Sequence, residues 1–224
     1  MSIALSWSSG KDAAWALHLL RQQGEDVTTL VTTLARDEGR VAMHWVRRAV
    51  VRLQAALVDL PLLEIELPWP CSDELYRFAV GGALARLRER EGVTAVAFGD
   101  LYLADVRRFR EAMLEPLGLE AVFPLWGMRS DLLAQRMLRA EVEALITCVD
   151  PSRVRRTAAG TRWDARFVRE LPPGVDPCGE RGEFHTVITA GPMFANPLTV
   201  YPGAIIERDG FVYADVTLTK EVDR

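Results

Sequence analysis

The first 124 residues alternate short apolar runs with segments of helical periodicity. The strand-like runs are residues 3–6, 27–34, 62–67, 93–98 and 121–123. Between them, helical patterns begin near Asp12, Met43, Ser72 and Ala104. This alternation is typical of a parallel sheet covered by helices, because parallel strands need a long crossover connection that is usually a helix. We therefore predict an α/β fold with a Rossmann-like parallel sheet in this part of the chain.

The pattern changes after Pro124-Leu125-Trp126-Gly127. A helix over residues 130–140 and a strand over residues 144–149 are still expected, but the chain then becomes rich in proline and glycine. Runs of β character follow at residues 184–189, 204–207 and 211–218, with Asp209-Gly210 as a hairpin turn between the last two. We predict a smaller C-terminal α+β domain here, and divide the chain into residues 1–126 and 127–224.

Two helices carry more specific predictions. The second has an apolar spacing that fits one buried stripe, formed by Val46, Val50, Leu53 and Leu57. In the third, Ser72 is placed to cap the N-terminus and Gly92 to end the helix.

The turn from the first strand into the first helix has the composition of a phosphate-binding loop. It reads Ser8-Ser9-Gly10-Lys11-Asp12, with Ser6 at the end of the strand. The N–H groups at a helix N-terminus lack intrahelical partners and carry the positive end of the helix dipole, so they bind anions. Gly10 would let the backbone approach a phosphate, and Lys11 would add a positive charge. The glycine spacing of a P-loop is absent, and an ordinary turn capped by Asp12 or a serine remains an alternative.

An acidic residue follows the strand that ends at Phe98. Gly99-Asp100 would lie at the carboxyl edge of the sheet, where ligands bind in open α/β folds. Magnesium takes few carboxylates and keeps waters and phosphate oxygens, so Asp12 and Asp100 could hold Mg²⁺ on a triphosphate. The alternative is that Asp100 caps the next helix.

The third candidate segment runs from Asp176 to Thr186. Glu180 and Glu183 are separated by two residues, bracketed by glycines, and followed by a strand. These carboxylates could bind an amine or ammonium, accept protons, or ligate magnesium; a glycine-rich turn with solvated acids is the alternative. Cys178 has no base at a pairing distance in sequence, and we expect a buried, inert thiol.

Charge and composition narrow the class of partner. The net charge of −4 argues against nucleic acid, since binding its backbone needs a concentrated basic face. The N-terminus lacks a signal pattern and no apolar run approaches ~18 residues, so we expect a cytoplasmic protein without a membrane span. The three cysteines lack C-x-x-C spacing and the three histidines share no ligand spacing, so no structural metal is expected.

The segment Ser8-Ser9-Gly10-Lys11-Asp12-Ala13 resembles the modified phosphate loop, S-G-G-x-D-S, of the adenine nucleotide alpha hydrolase (N-type ATP pyrophosphatase, PP-loop) superfamily. Later segments resemble the diphthine-ammonia ligase family within it: Gly99-Asp100-Leu101, Arg110-Glu111, Phe123-Pro124-Leu125-Trp126, and the string from Asp176 to Thr186. The resemblance covers about residues 3–194 and implies a HUP-type fold. Ser9 replaces the first glycine of the loop and Ala13 its last serine, which removes a hydroxyl that could donate to phosphate.

The resemblance implies that ATP is cleaved to AMP and pyrophosphate, that a carboxylate is adenylated, and that ammonia converts it into an amide. Lys11 and the loop N–H groups would stabilise the leaving pyrophosphate, and Asp12, with Asp100, would hold Mg²⁺. Arg110 would bind phosphate or the acceptor carboxylate. Glu180 and Glu183 would serve the ammonia or acceptor side, and a homo-oligomer is expected.

Two other functions remain open from the sequence. One is a non-catalytic adenine nucleotide sensor, which the Ala13 substitution favours. The other is sulfur insertion into tRNA, which usually needs a cysteine pair and a basic surface. The arginine-rich, lysine-poor composition suggests a bacterial genome, where diphthamide is not expected, so the acceptor would be another carboxylate, on a protein or a small metabolite.

Overall fold

The computed structural model describes residues 1–219, which form two sheets and six α-helices. The strands are Ser2–Ser6 (β1), Asp26–Ala35 (β2), Arg40–Val41 (β3), Leu62–Leu67 (β4), Ala95–Ala97 (β5), Glu120–Val122 (β6), Glu143–Val149 (β7), Arg162–Trp163 (β8), Phe184–Ala190 (β9), Tyr201–Arg208 (β10) and Phe211–Thr217 (β11). The helices are Lys11–Gln22 (α1), Arg48–Leu57 (α2), Asp73–Glu91 (α3), Ala104–Leu114 (α4), Ser130–Arg139 (α5) and Ala165–Arg169 (α6).

The N-terminal sheet is parallel apart from one short strand. β1 pairs in parallel with β2 on one side and β5 on the other, β4 adds beyond β2, and β6 adds beyond β5. Only β3 is antiparallel, at the end of β2. The interior of β1 is a continuous apolar run, Ile3, Ala4 and Leu5, as expected of a strand covered on both faces. The predicted Rossmann-like α/β fold is confirmed.

The C-terminal sheet is antiparallel, in the order β10-β11-β7-β8, with β9 paired to β7. This confirms the smaller α+β part of the predicted fold class. Asp209 and Gly210 turn between β10 and β11 with φ values of 51° and 83°, which is the positive-φ pair that a tight hairpin needs. The exact division at residues 126 and 127 stays a prediction.

Helix α1 joins the two sheets through one hydrophobic core. Its buried side chains include Trp15, Leu17 and Leu20, and the core cluster that they enter also contains Ile146 of β7 and Ile188 of β9. A helix that is apolar on most of its surface is a buried helix. The strand-to-helix turn before α1 is therefore held from both sides.

Two predictions about the second helix are wrong. The helix begins at Arg48 and not near Met43, because Met43 and Trp45 have positive φ values of 63° and 59°, which a helix does not accept. The predicted buried stripe is right for Val46 and Val50 but wrong for Leu53, which is 38% exposed, whereas Gln54 is fully buried. The buried residues follow the i+4 spacing from Val50 to Gln54 instead of the i+3 spacing to Leu53.

The boundaries of the third helix are confirmed. Ser72 Oγ accepts a hydrogen bond from Leu75 N at 3.3 Å, and Gly92 ends the helix with a φ of 70°. The short elements β3, β8 and α6 were not predicted. Within residues 1–219, no helix combines the length and apolar character needed to cross a membrane.

A buried carboxylate links the two sheets. Asp215 of β11 is 5% exposed and accepts hydrogen bonds from Arg40 Nη1 at 2.7 Å and Arg47 Nε at 2.9 Å. Burial alone would raise the pKa of Asp215, but the hydrogen bonds from Arg47 and Arg40 outweigh it and hold the pKa well below its ordinary value. The contribution to stability is therefore present above the unfolded-state pKa of about 3.9 and is lost as the pH falls further.

We expect Asp215→Asn to lower the free energy of unfolding by about 1–3 kcal/mol at pH 7. This is less than the full cost of breaking a buried ion pair, because Arg47 is half-exposed and water screens its charge. Urea unfolding measures this. Asp209→Asn, on the same hairpin but 68% exposed, is the control and should change stability by less than about 0.5 kcal/mol. Equal effects of the two substitutions would contradict the linking role.

Candidate active site

A cavity of about 760 Å³ lies at the carboxyl edge of the parallel sheet. Three predicted segments contribute to its wall: the turn before α1, the end of β5, and the segment before β9. Of the predicted site residues, the following line it: Ser6, Ser8, Lys11, Asp12, Gly99, Asp100, Arg110 and Glu180. Ser9, Gly10 and Glu183 are not among the lining residues and lie behind these. The three segments that the sequence predicts separately therefore line one cavity.

The loop before α1 has the backbone of a ligand-binding turn. The N-cap residue is Gly10, which has no side chain, so the alternative of an ordinary turn with Asp12 or a serine as N-cap does not hold. A Cβ on Gly10 would lie 2.6 Å from His44 Cε1 and 3.3 Å from the Thr186 carbonyl oxygen, which leaves no room for a side chain. Thr186 Oγ1 accepts a hydrogen bond from Lys11 N at 3.2 Å, so β9 supports the first turn of the helix.

Ser9 adopts a conformation that favours glycine, with a φ of 74°. Its hydroxyl donates to Gln54 Oε1 at 2.7 Å, and Gln54 Nε2 donates back to the Ser9 carbonyl oxygen at 3.2 Å. The same amide accepts from Trp7 Nε1 at 3.0 Å and donates to the Ile188 carbonyl oxygen at 2.8 Å. The serine that departs from the glycine of the family loop is therefore hydrogen-bonded on both its side chain and its backbone.

Lys11 is buried between the loop and the C-terminal part of the chain. Its ammonium donates to Asp12 Oδ2 at 2.8 Å and to the Cys178 carbonyl oxygen, and lies 5.4 Å from the ring centre of Trp163. Burial lowers the pKa of Lys11, but the nearby acidic groups, Asp12 foremost, together outweigh burial, and the pKa is raised. A permanent positive charge therefore stands beside Asp12.

Two carboxylates, those of Asp12 and Asp100, line the cavity near the first turn of α1. A Cβ on Gly99 would lie 2.9 Å from Ala13 N, so the residue before Asp100 is pressed against the first turn of the helix. Asp12 Oδ1 and Asp100 Oδ2 are buried atoms that have no hydrogen-bond partner within residues 1–219. Burial raises the pKa of both carboxyl groups, opposed by Lys11 for Asp12 and by Arg110 for Asp100.

These two oxygen atoms suit a hard cation such as Mg²⁺, which prefers carboxylate oxygen and completes its shell with water and phosphate. The described residues contain no group of three or more His, Cys, Asp or Glu that could hold a metal by itself. The helix-cap alternative for Asp100 does not hold, because α4 has Leu103 as its N-cap residue, without a side-chain bond.

Glu180 reaches from the C-terminal segment to the end of β5. Its Oε1 accepts hydrogen bonds from Leu101 N at 2.8 Å and Tyr102 N at 3.3 Å. Burial raises the pKa of Glu180 to about 7. The negative charge of Asp12 adds to this increase, and the two hydrogen bonds offset only part of it. This carboxyl group can therefore gain or lose a proton near neutral pH.

Glu183 holds the same segment in shape and is fully buried. Its Oε1 accepts from Arg153 Nη1 at 3.2 Å and Asp176 N at 3.2 Å, and its Oε2 accepts from Arg181 N at 2.9 Å. Neither glutamate therefore fits the alternative of a solvated turn. Burial also raises the pKa of the Cys178 thiol well above its ordinary value, in agreement with the inert thiol expected there.

Several residues that build the site are not among the predicted site residues. Gln54, Thr186 and Trp163 contact the loop from other elements, and His44 covers Gly10 with Nδ1 donating to the Thr186 carbonyl oxygen at 2.9 Å. Burial lowers the pKa of His44 to about 4, so the ring is neutral at pH 7. Two of them left a signal: Gln54 is a polar residue in the apolar i+4 row of the second helix, and Thr186 ends the predicted segment that begins at Asp176.

Comparison with known proteins identifies the family. The family model of the diphthamide synthase N-terminal domain matches residues 1–121, and that of the diphthamide synthase C-terminal domain matches residues 130–220. The chain belongs to the diphthamide synthase family. Among its relatives, diphthine–ammonia ligase of Rattus norvegicus is 26% identical over 239 residues, covering 96% of this chain and 89% of the relative.

A second member, diphthine–ammonia ligase of Bos taurus, is 27% identical over 143 residues, which cover 59% of this chain and 52% of the relative. The resemblance noted from the loop and the Asp176–Thr186 string is thereby confirmed at the level of the family. Both family models together include all three segments that meet at the cavity.

We expect Gln54→Met to destabilise the protein by about 2–4 kcal/mol, because the buried Trp7 indole N–H and Ile188 carbonyl oxygen would lose their partner. The measurement is urea unfolding followed by tryptophan fluorescence. Gln22→Met, at an exposed position of α1, is the control and should be near neutral. A neutral Gln54→Met would show that the amide does not hold the loop.

Glu180→Gln tests the raised pKa, since glutamine keeps the oxygen acceptor for both N–H groups and removes the titration. Folding raises the pKa of Glu180 from about 4.3 in the unfolded state to about 7, so the native state binds the proton more tightly. The stability that this provides is fully present below about pH 4.3 and is lost as the pH rises to about 7. The stability of the variant relative to the parent should therefore grow by about 1–2 kcal/mol between pH 5 and pH 8, after allowance for partial exposure. Glu89→Gln, on the exposed face of α3, is the control, and a pH-independent difference for Glu180→Gln would refute the assignment.

Proposed function

We propose that this chain is an ATP-dependent, AMP-forming amide ligase that adenylates a carboxylate and amidates it with ammonia. Its relatives in Rattus norvegicus and Bos taurus are diphthine–ammonia ligases, and this similarity, at 26% and 27% identity, supports ATP and ammonia as substrates. The acceptor is left open by that level of similarity, and a cytoplasmic location, a homo-oligomer and the absence of nucleic-acid partners stay predictions.

The observation that carries the proposal is a pair of carboxylate oxygens that accept no hydrogen bond within residues 1–219, Asp12 Oδ1 and Asp100 Oδ2, in one cavity with a glycine-capped helix N-terminus. Asp100 Oδ2 also lies at an ion-pair distance of 3.7 Å from Arg110 Nε. The helix terminus is suited to phosphate and the two carboxylates to Mg²⁺. When bound, Mg²⁺ would neutralise charge on the phosphates of the nucleotide. Ser6, Ser8 and Gly99, which line the cavity, would form the wall against which the triphosphate lies.

The proposed reaction has two steps. An acceptor carboxylate oxygen attacks the α-phosphorus of ATP, a C–O–P linkage forms, and the bond to the bridging oxygen breaks so that pyrophosphate leaves with the electron pair. Ammonia then attacks the carbonyl carbon, the C–O bond to AMP breaks, and the nitrogen gives up a proton to leave an amide. The products are the amide, AMP and pyrophosphate.

The protein groups have distinct roles in this scheme. Lys11, charged and buried beside Asp12, fixes that carboxylate and adds positive potential at the loop for the leaving pyrophosphate. Glu180, with its pKa of about 7, takes the proton from ammonium or from the attacking nitrogen. Arg110 receives the acceptor carboxylate, and Glu183 acts as a positioning residue that holds the Glu180 segment.

The sensor alternative is favoured by one observation: Ala13 lines the cavity with a methyl group where the family loop has a serine hydroxyl. A protein of that kind would bind ATP without cleaving it. Sulfur insertion receives less support, because the raised pKa of the Cys178 thiol disfavours a reactive thiolate.

The test is a product assay with labelled ATP, Mg²⁺, ammonium and a metabolite extract, resolving AMP from ADP. We expect AMP and pyrophosphate in equal amounts, reduced by at least about 100-fold in Asp12→Asn. Asp131→Asn, which changes a surface carboxylate paired with Arg129, should keep full activity. ATP bound tightly but recovered intact from every extract would favour the sensor, and ADP as product would exclude the proposed chemistry.

A further inference from the structure

Helix α3 carries a row of apolar and small residues on the face that points away from the core. The row consists of Leu75, Phe78, Gly82 and Ala85, and we call it the α3 seam. Phe78 is 80% exposed, and within residues 1–219 no other large apolar side chain is as exposed. Leu75 is 39% exposed, whereas Gly82 and Ala85 are partly buried. The seam is therefore an apolar surface whose contact with water costs free energy.

The spacing of the seam is that of a helix-pairing surface. Its residues are separated by three, four and three positions, which is the alternation with which two helices interlock at a small crossing angle. The opposite face of α3, with Val80, Leu84 and Leu87, packs into the core of the chain. The fold of one chain therefore accounts for that face and leaves the second apolar row unexplained.

The seam is complementary to itself when two copies run in opposite directions. A two-fold axis at the level of Val80 brings Phe78 of one copy to Gly82 of the other. The same axis brings Leu75 of one copy to Ala85 of the other. In each pair a large side chain faces a small residue, as in the packing of knobs into holes. A single helix thus supplies both halves of the contact.

Gly82 leaves room for the aromatic ring of a second copy. Apart from the helix backbone and the adjacent residues, the only atom of residues 1–219 within 4 Å of a Cβ built on Gly82 is Arg86 Nη1, at 3.7 Å. That atom is the far end of a long, flexible side chain. Phe78 of a second copy can therefore be buried there without displacing a rigid part of the protein.

The charges at the two ends of α3 favour the same antiparallel arrangement. The first turn contains Asp73 and Glu74, and the last turn contains Arg88 and Arg90. In an antiparallel pair, the acidic end of each helix lies beside the basic end of the other, and the two helix dipoles point in opposite directions. A parallel pair would place like charges side by side, which is unfavourable.

We propose that α3 forms the interface of a homodimer, in which two copies pack their α3 seams together in antiparallel orientation. A second copy fits the observations better than an unrelated protein, because the match of large with small residues and the match of acids with bases both arise within this one helix. A single helix pair is a small interface, so the dimer is expected to dissociate on dilution.

The first experiment is analytical ultracentrifugation of the purified full chain from about 1 μM to about 200 μM, which gives the Kd of dimerisation. Phe78→Gln removes the most exposed apolar side chain of the seam and should raise this Kd at least about tenfold. Leu132→Gln, at a 44% exposed position of α5, is the matched control and should change the Kd less than about twofold.

Gly82→Gln separates the interface from the fold. The new side chain would occupy the place of Phe78 of the second copy, so the Kd of dimerisation should rise at least about tenfold. The monomer should at the same time melt about 1–3 °C higher, because glutamine is a better helix former than glycine. Unchanged dimerisation in this variant would contradict the packing of Phe78 on Gly82.

Cysteine cross-linking tests the direction of the two helices. Leu75→Cys and Ala85→Cys are prepared separately, both with Cys71→Ser so that the partly exposed native thiol does not compete. Since only Leu75 and Ala85 face each other, mild oxidation should give at least about tenfold more covalent dimer in the mixture than in either variant alone.

Three results would overturn the inference. The first is a chain that stays monomeric over the whole concentration range. The second is a dimer that Phe78→Gln leaves intact and that Ile205→Gln dissociates, since Ile205 is 55% exposed on the edge strand β10 and would place the interface there. The third is cross-linking that is as frequent within one cysteine variant as in the mixture, which would exclude the antiparallel pairing.

Discussion

The geometry of the cavity depends on one buried amide, the side chain of Gln54. It receives hydrogen bonds from Trp7 at the end of β1 and from Ser9 in the loop, and it donates to Ser9 and to Ile188 of β9. Four hydrogen bonds from one fully buried side chain fix the loop against both sheets. The left-handed backbone of Ser9, and with it the direction of the first turn of α1, is held by this network.

The same arrangement explains how two parts of the chain make one site. The segment before β9 contributes Glu180 to the cavity and the Cys178 carbonyl oxygen to Lys11, while Asp12 and Asp100 come from the parallel sheet. Lys11 is thus bound to both parts, and its charge is enclosed by them. The turn before α1 and the carboxyl group of Glu180 are thereby fixed in one cavity wall.

Local features of the sequence were sufficient for the fold class, because their physical causes lie within a few residues. Ser72 caps its helix and Asp209-Gly210 makes its hairpin through neighbours in the chain. The start of the second helix was predicted wrongly for a reason that is also local, the positive φ values of Met43 and Trp45. Methionine and tryptophan rarely adopt positive φ, so their residue types did not indicate it. Gln54 and Glu183 could not be assigned their supporting roles, since their partners, such as Ile188 and Arg153, are 134 and 30 residues away in the chain.

The central claim is that a carboxylate attacks the α-phosphorus of ATP in this cavity and that ammonia then displaces AMP. Oxygen transfer tests it most directly, by mass spectrometry of AMP and amide formed from an acceptor acid whose carboxylate carries isotopically heavy oxygen. The account predicts that AMP gains one heavy oxygen from the acid and that the amide keeps the other. AMP without heavy oxygen, formed together with the amide, would contradict it.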